Sequence, residues 1–188
     1  MFILRKLYYI LIDLVETFVI AGAIFVVIYA FFFRLFVVNG ESMIPNFQDG
    51  EYIITNLITL KLTPLHRGDV VVFQAPPSLD KDYIKRVVGL PGEKVKIKDG
   101  KVYIDGKILN ESSYLPFNSK TYQEQFLKEN HEITIPNNSY FVLGDNREAS
   151  SDSRDWGLVA LDKIIGKSFV VIWPPKDIKT IKGINYYN

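Results

Sequence analysis

Cysteine is missing from all 188 residues. That excludes a thiol nucleophile, thiolate metal sites and disulfides. It does not choose a compartment, since a chain without thiols suits either side of a membrane. Histidine is almost as scarce. His66 and His131 stand in unrelated contexts and no HExxH pattern occurs, so both read as ordinary residues rather than catalytic bases or zinc ligands. An excess of either charge is absent too: 22 Lys and Arg against 21 Asp and Glu leave a net +1, which offers no footprint for nucleic acid. The length suits one domain plus an anchor, and there is no internal repeat.

Charge is also missing locally. From Thr17 to Phe33 the chain carries none, and the run is apolar on every side, without the polar stripe of a buried soluble helix. With Leu11, Leu14 and Val15 before it, the run is long enough for a spanning helix. We place an N-terminal lead-in at 1–16, a transmembrane helix at 17–35 and a further domain at 36–188. A cleaved signal peptide is the rival reading. Arg34-Leu35-Phe36-Val37-Val38 follows the run, however, where a small-x-small cleavage site would be needed. Arg5 and Lys6 before the run outnumber Arg34 after it, which favours a cytoplasmic N-terminus.

Beyond residue 38 the pattern is one of short strands and turns. Gly40, Pro45 and Asp49-Gly50 are breakers. Glu51–Thr55 reads as a strand, Leu57–Leu65 as an apolar connector, and Arg67–Phe73 as a turn entering a buried strand. Pro76-Pro77 and Asp80-Lys81-Asp82 read as a surface loop, and Tyr83–Leu90 as a strand stopped by Pro91-Gly92. Alternation in Val95–Lys98 and Lys101–Ile104 about Asp99-Gly100 is a strong hairpin signal. Residues 110–131 are polar and read as irregular. The sequons at Asn110 and Asn137 are treated as loop residues. Tyr140–Leu143 and one or two strands in Leu161–Trp173 complete a mainly β domain, and Pro174-Pro175 ends the folded part before a surface tail.

Chemistry-bearing residues gather in three places. Ser42 lies in Asn39-Gly-Glu-Ser-Met-Ile-Pro45, just after the apolar run. A serine hydroxyl is a weak nucleophile until a base takes its proton. With no histidine placed for that, Lys85 in Tyr83-Ile-Lys-Arg-Val-Val88 is the candidate. An ordinary lysine is neutral only about once in a few thousand molecules at pH 7. Burial lowers its pKa by disfavouring the ammonium, and a shift of about 3 units costs the fold about 4 kcal/mol. On a strand Lys85 shares a face with Tyr83 and Val87, while Arg86 points the other way. The third place is Gly144-Asp-Asn-Arg-Glu-Ala-Ser-Ser-Asp-Ser-Arg154, where Asp145, Arg147, Asp152 and Arg154 can form ion pairs and serine hydroxyls can meet a buried lysine.

These blocks, in this order after a membrane segment, resemble bacterial type I signal peptidases, membrane-bound Ser-Lys endopeptidases. The others that match are Arg67-Gly-Asp-Val-Val-Val-Phe73 and the continuation of the lysine block through Gly89-Leu-Pro-Gly-Glu93. The resemblance implies Ser42 as nucleophile and Lys85 as general base. It implies Ser150 as a hydrogen-bonding partner of the lysine, Asp152 and Arg154 as an ion pair, and Asp145, Arg147 and Arg86 as supporting residues. Met43 and Pro45 would shape the nucleophile's turn. Gly40 stands where some members have a serine that aids the oxyanion hole, which would then rest more on backbone N–H groups, including that of Ser42. Also implied are a fold of antiparallel β-sheets, as in signal peptidases and repressor peptidases, with residues 94–138 as an inserted hairpin-and-loop lobe, and location in the cytoplasmic membrane with the catalytic domain outside. Substrates would be exported preproteins cut after Ala-x-Ala, and no cofactor is implied. Two rivals are a self-cleaving repressor-like peptidase and a membrane-tethered β-domain that binds exported proteins without catalysis.

Overall fold

A computed structural model describes residues 2–76, 78–128, 130–184 and 186. Pro77 of the expected surface loop, Met1, Glu129, Asn185, Tyr187 and Asn188 lie outside the described residues. The chain divides into two units, Met1–Arg34 and Leu35–Asn188. The first is helix α1 (Phe2–Phe32), whose stretch Arg5–Phe32 is long and apolar enough to cross a membrane.

The second unit is built on antiparallel sheets, as the strand-and-turn pattern indicates. Among the described residues, eight strands make the larger sheet: β1 (Phe33–Val37), β2 (Tyr52–Asn56), β3 (Val70–Ala75), β4 (Ser78–Gly89), β9 (Ser139–Leu143), β10 (Val159–Ala160), β11 (Ile164–Trp173) and β12 (Lys179–Thr180). Their order is β1-β2-β11-β3-β4-β9-β10, with β12 on β11. Strands β5 (Lys94–Lys98), β6 (Lys101–Ile104), β7 (Lys107–Ile108) and β8 (Glu132–Thr134) form a smaller sheet in the order β7-β6-β5-β8. Asp99 and Gly100 both take positive φ in the tight β5–β6 turn, which is why Asp-Gly stands there.

Strand β3 is covered on both faces. Val71 and Phe73 pack with Val87, Val142 and Ile164, whereas Val70 and Val72 pack with Met43, Phe47 and Ile53 on the other side. A run of β-branched residues is what a strand buried on both faces requires. Val88, Phe141 and Leu143 of the larger sheet close a third core against Val95, Ile97 and Val102 of the smaller one. Gly89 lies at that junction. A Cβ there would come within 2.5 Å of the Ile135 side chain and 3.0 Å of Phe141.

Three expectations are corrected. Asp80–Asp82 belong to β4, because the β3–β4 pairing continues past Tyr83 to set Asp82 opposite Gln74 and Ser78 opposite Ala75. The connector at Leu57–Leu65 contains a helical turn, α2 (Thr59–Leu62), whose start is bonded by the Asn56 side chain to the Ile58 and Thr59 N–H groups. Nor does the folded part end at Pro175. Lys179 donates at 2.9 Å to Glu51, which is 1% exposed and needs a cation, and Tyr186 packs edge-on against Tyr114 with ring centres 6.0 Å apart.

Candidate active site

Val38 and its neighbours close a loop at its base: Val38 N–H donates to Glu51 and Gly50 N–H to Val38, both at 2.8 Å. Within the loop, Ile44 N–H donates to Glu41 and Phe47 N–H to Met43, around a cis Ile44–Pro45 bond. Met43 (0% exposed) and Phe47 plug into the core under β3, which anchors the turn. Gly40 has φ +86°, a conformation L side chains avoid, and its N–H donates to Asp49 Oδ1 at 2.6 Å. Ser42 therefore sits on a short, fastened turn with its hydroxyl toward β4.

Lys85 reaches it from β4. Nζ and Ser42 Oγ are 2.7 Å apart, a distance at which an ammonium donates and a neutral amine accepts. Lys85 is 4% exposed, lies opposite Val71 in the β3–β4 ladder, and has Nζ 5.3 Å from the centre of the Tyr83 ring. Burial pushes its pKa down from 10.5 to about 8; Asp152 and Asp145 oppose the shift and Arg154 adds to it.

The 144–154 segment packs against Ser42 and carries the charges of Asp145, Asp152 and Arg154 that act on Lys85. Asp152 takes Arg154 through both oxygens, at 2.7 and 2.8 Å, and its Oδ2 also accepts the Gly144 N–H at 3.0 Å. Its carboxylate accepts the Arg154 N–H as well, capping α3 (Ser153–Trp156). Asp145 does not pair with Arg147. Arg86 grips it in a two-pronged contact, at 2.8 and 2.5 Å. Arg147 turns to Glu111, at 3.0 and 2.6 Å, and to the Gly144 carbonyl at 2.9 Å. The reason is register: Arg86 lies opposite Leu143, which brings its guanidinium to the start of the 144–154 loop. The hydrogen bond to Lys85 implied for Ser150 is not formed. Ser150 Oγ is buried against the Gly144 backbone and has no partner among the described residues.

Four residues beyond the expected set matter to this geometry. Asn146 donates its backbone N–H to the Ser42 carbonyl at 3.0 Å and its side-chain amide to the Glu41 carbonyl at 3.1 Å. Asn46 donates to Asp145 Oδ2 at 2.9 Å and to the Tyr114 carbonyl at 2.8 Å. Glu111 supplies the counter-charge of Arg147. Gly144 leaves no room for a side chain, since a Cβ would lie 2.5 Å from both Ser150 Cβ and the Ser42 carbonyl oxygen. The sequence block around Gly144 flagged two of the four by position, but the pairings join residues 36 to 105 apart along the chain.

A cleft of about 320 Å³ opens over the pair. Phe36, Ile53, Val72 and Ile84 are among its lining residues, with the acidic residues Glu41 and Asp82 beside them. Strand β9 pairs with β4 only from Arg86 onward, so Asp82–Lys85 border the cleft. Among the described residues, no group of three or more His, Asp or Glu is placed to hold a metal.

A family model described as signal peptidase, peptidase S26, matches residues 11–173. Signal peptidase IB of Staphylococcus aureus is 36% identical over 180 residues, which cover 90% of this chain and 93% of that protein. Signal peptidase I of Bacillus caldolyticus is 36% identical over 152 residues, 78% of this chain and 82% of the relative. A crystal structure of a signal peptidase I from Enterococcus faecalis V583 superposes with a TM-score of 0.46 and 32% identity, over 56% of this chain and 97% of that one. The chain belongs to the signal peptidase family, peptidase S26, and is a serine endopeptidase whose reaction is the cleavage of signal peptides.

Proposed function

We propose that Ser42 is the nucleophile and Lys85 its general base, in a domain of residues 36–188 tethered by α1 to the cytoplasmic membrane. The N-terminus is cytoplasmic and the domain faces outward. The observation that carries this reading is the 2.7 Å approach of a buried amine to a serine hydroxyl. With a pKa of about 8, roughly one lysine in ten is neutral at pH 7, some hundreds of times more than for an ordinary lysine.

In the proposed reaction Lys85 Nζ takes the Ser42 hydroxyl proton as Oγ bonds to the scissile carbonyl carbon. The carbonyl oxygen becomes an oxyanion facing the Ser42 N–H. The C–N bond then breaks, and the Lys85 ammonium returns its proton to the departing amine. The mature protein leaves, and the signal peptide stays as an ester on Ser42. Water enters, Lys85 takes its proton, and hydroxide displaces Oγ, which recovers a proton from the ammonium. No step requires a metal.

An exported preprotein would lie extended along Asp82–Lys85 and add to the sheet as a strand. In this reading the cleft, with Phe36, Ile53, Val72 and Ile84 in its lining, takes small side chains at the first and third positions before the cut, an Ala-x-Ala preference. The test is to incubate the purified full chain in detergent with a preprotein whose signal ends in Ala-x-Ala. Cleavage after the final alanine, abolished by Ser42→Ala and by Lys85→Ala in folded protein, is expected. Cleavage that survives Ser42→Ala would overturn the mechanism, and equal cleavage after Leu-x-Leu would overturn the specificity.

A further inference from the structure

Glu41 and Ser42 are joined by one peptide plane, and that plane carries the Glu41 carbonyl on one side and the Ser42 N–H on the other. In a trans peptide the two point in opposite directions, so whatever holds the carbonyl also aims the N–H. The Glu41 carbonyl accepts two hydrogen bonds, from the Ile44 N–H at 3.2 Å and from the Asn146 side-chain amide at 3.1 Å. Asn146 holds the next carbonyl as well, its own N–H donating to Ser42 at 3.0 Å. One residue of a distant loop thus grips two consecutive carbonyls of the nucleophile's chain.

The preceding residue leaves this plane exposed to error. Gly40 has no side chain to act as a second oxyanion donor, and its own N–H is committed to Asp49. Nothing lies within 4 Å of where a Gly40 Cβ would be. A rotation of the 41–42 plane would turn away the N–H on which the oxyanion depends, while leaving Ser42 Oγ beside Lys85.

We infer that the Asn146 side chain is a positioning residue for the oxyanion hole, acting through the Glu41 carbonyl to aim the Ser42 N–H at the developing negative charge. This rests on the assignment of Ser42 and Lys85 above. The Ile44 N–H remains in its absence, so its loss weakens the aim without abolishing it. Removal of an oxyanion donor outright costs about 100- to 1,000-fold in kcat, and a loosened one costs less.

The experiment compares Asn146→Ala and Asn146→Asp with the parent chain in detergent; Asp is nearly isosteric but cannot donate when ionised. Three quantities are read: kcat and KM on an Ala-x-Ala preprotein, affinity for a peptide aldehyde ending in Ala-x-Ala, and affinity for the product peptide with its free carboxylate. The aldehyde carbon bonds to Ser42 Oγ and its oxygen occupies the oxyanion position. Expected are a fall in kcat of about 10- to 100-fold with KM within about twofold, an equal loss of aldehyde affinity, and unchanged product affinity. Parent-like kcat and aldehyde affinity in both variants would overturn the inference. So would a parallel loss of product affinity, which marks a general loosening of the site. Ser42→Ala runs alongside: if it still cleaves, the assignment of the nucleophile fails, whereas an inactive Ser42→Ala beside parent-like Asn146 variants removes only the role of Asn146.

Discussion

Lys85 and Ser42 lie 43 residues apart in the chain and 2.7 Å apart in space, with the lysine almost wholly out of water. The strand that carries Lys85 runs between β3 and β9, and the turn that carries Ser42 is pinned by Met43 and Phe47 beneath β3. Apolar packing on both faces of one sheet is thus what brings the amine to the hydroxyl and keeps it dry.

That dryness has a thermodynamic consequence with a definite sign. The folded chain holds Lys85 at about 8, whereas the unfolded chain holds it near 10.5. Below pH 8 both states carry the proton, and the fold bears the full penalty, about 3 kcal/mol. Between pH 8 and 10.5 the unfolded chain binds more protons, so this contribution to stability rises with pH and the penalty vanishes above 10.5. Lys85→Met keeps the stem and removes the charge. It is expected to be inactive yet more stable than the parent by about 1–3 kcal/mol in urea unfolding at pH 7, with the difference shrinking towards pH 10.5. A variant less stable than the parent at pH 7, or a pH-independent difference, would argue against a desolvated amine.

The ion pairs differ sharply in what they contribute. Arg86 and Asp145 have side chains 5% and 0% exposed, whereas Lys94 and Glu132 are 57% and 40% exposed at 3.5 Å. Asp145→Ala leaves a buried guanidinium without its partner and is expected to destabilise the domain by about 3–5 kcal/mol. Glu132→Ala removes an exposed pair and is expected to cost less than about 1 kcal/mol. Urea unfolding of the two variants checks both, and similar losses would contradict the difference in burial.

Gly144→Ala tests the close approach of the 144–154 loop to Ser42, the proposed nucleophile. Its Cβ would have to displace either Ser150 or the Ser42 carbonyl. Displacement of an ångström at a reacting group costs about 100-fold in rate. The expected result is a fall in kcat of at least that order with a folded protein by circular dichroism. Parent-like kcat would show that the loop moves freely away from Ser42.

Much of this molecule was legible in the chain because its signals are local. Alternation about Asp99-Gly100 specifies a hairpin whichever sheet it joins, and a charge-free run specifies an apolar helix. Ser42 and Lys85 were reached through their blocks and the family resemblance, since a lone serine or strand lysine carries little information. Long-range pairing was not legible. Asp145 and Arg147 are neighbours of opposite sign, yet the β4–β9 register gives Asp145 to Arg86 and leaves Arg147 for Glu111. Asn146 looked like one more polar loop residue, because its partners are the backbone carbonyls of a segment 105 residues earlier. The C-terminal segment reads as a surface tail until one sees that the buried Glu51 requires Lys179.

The most direct test of a neutral, buried base beside Ser42 is the pH dependence of kcat/KM for preprotein cleavage by the full chain, from pH 5 to 11 in detergent. The rate should rise with pH along a single acidic limb centred near 8, where Lys85 loses its proton. A limb centred above pH 10, the range of a solvated lysine, or a rate flat down to pH 6, would contradict it.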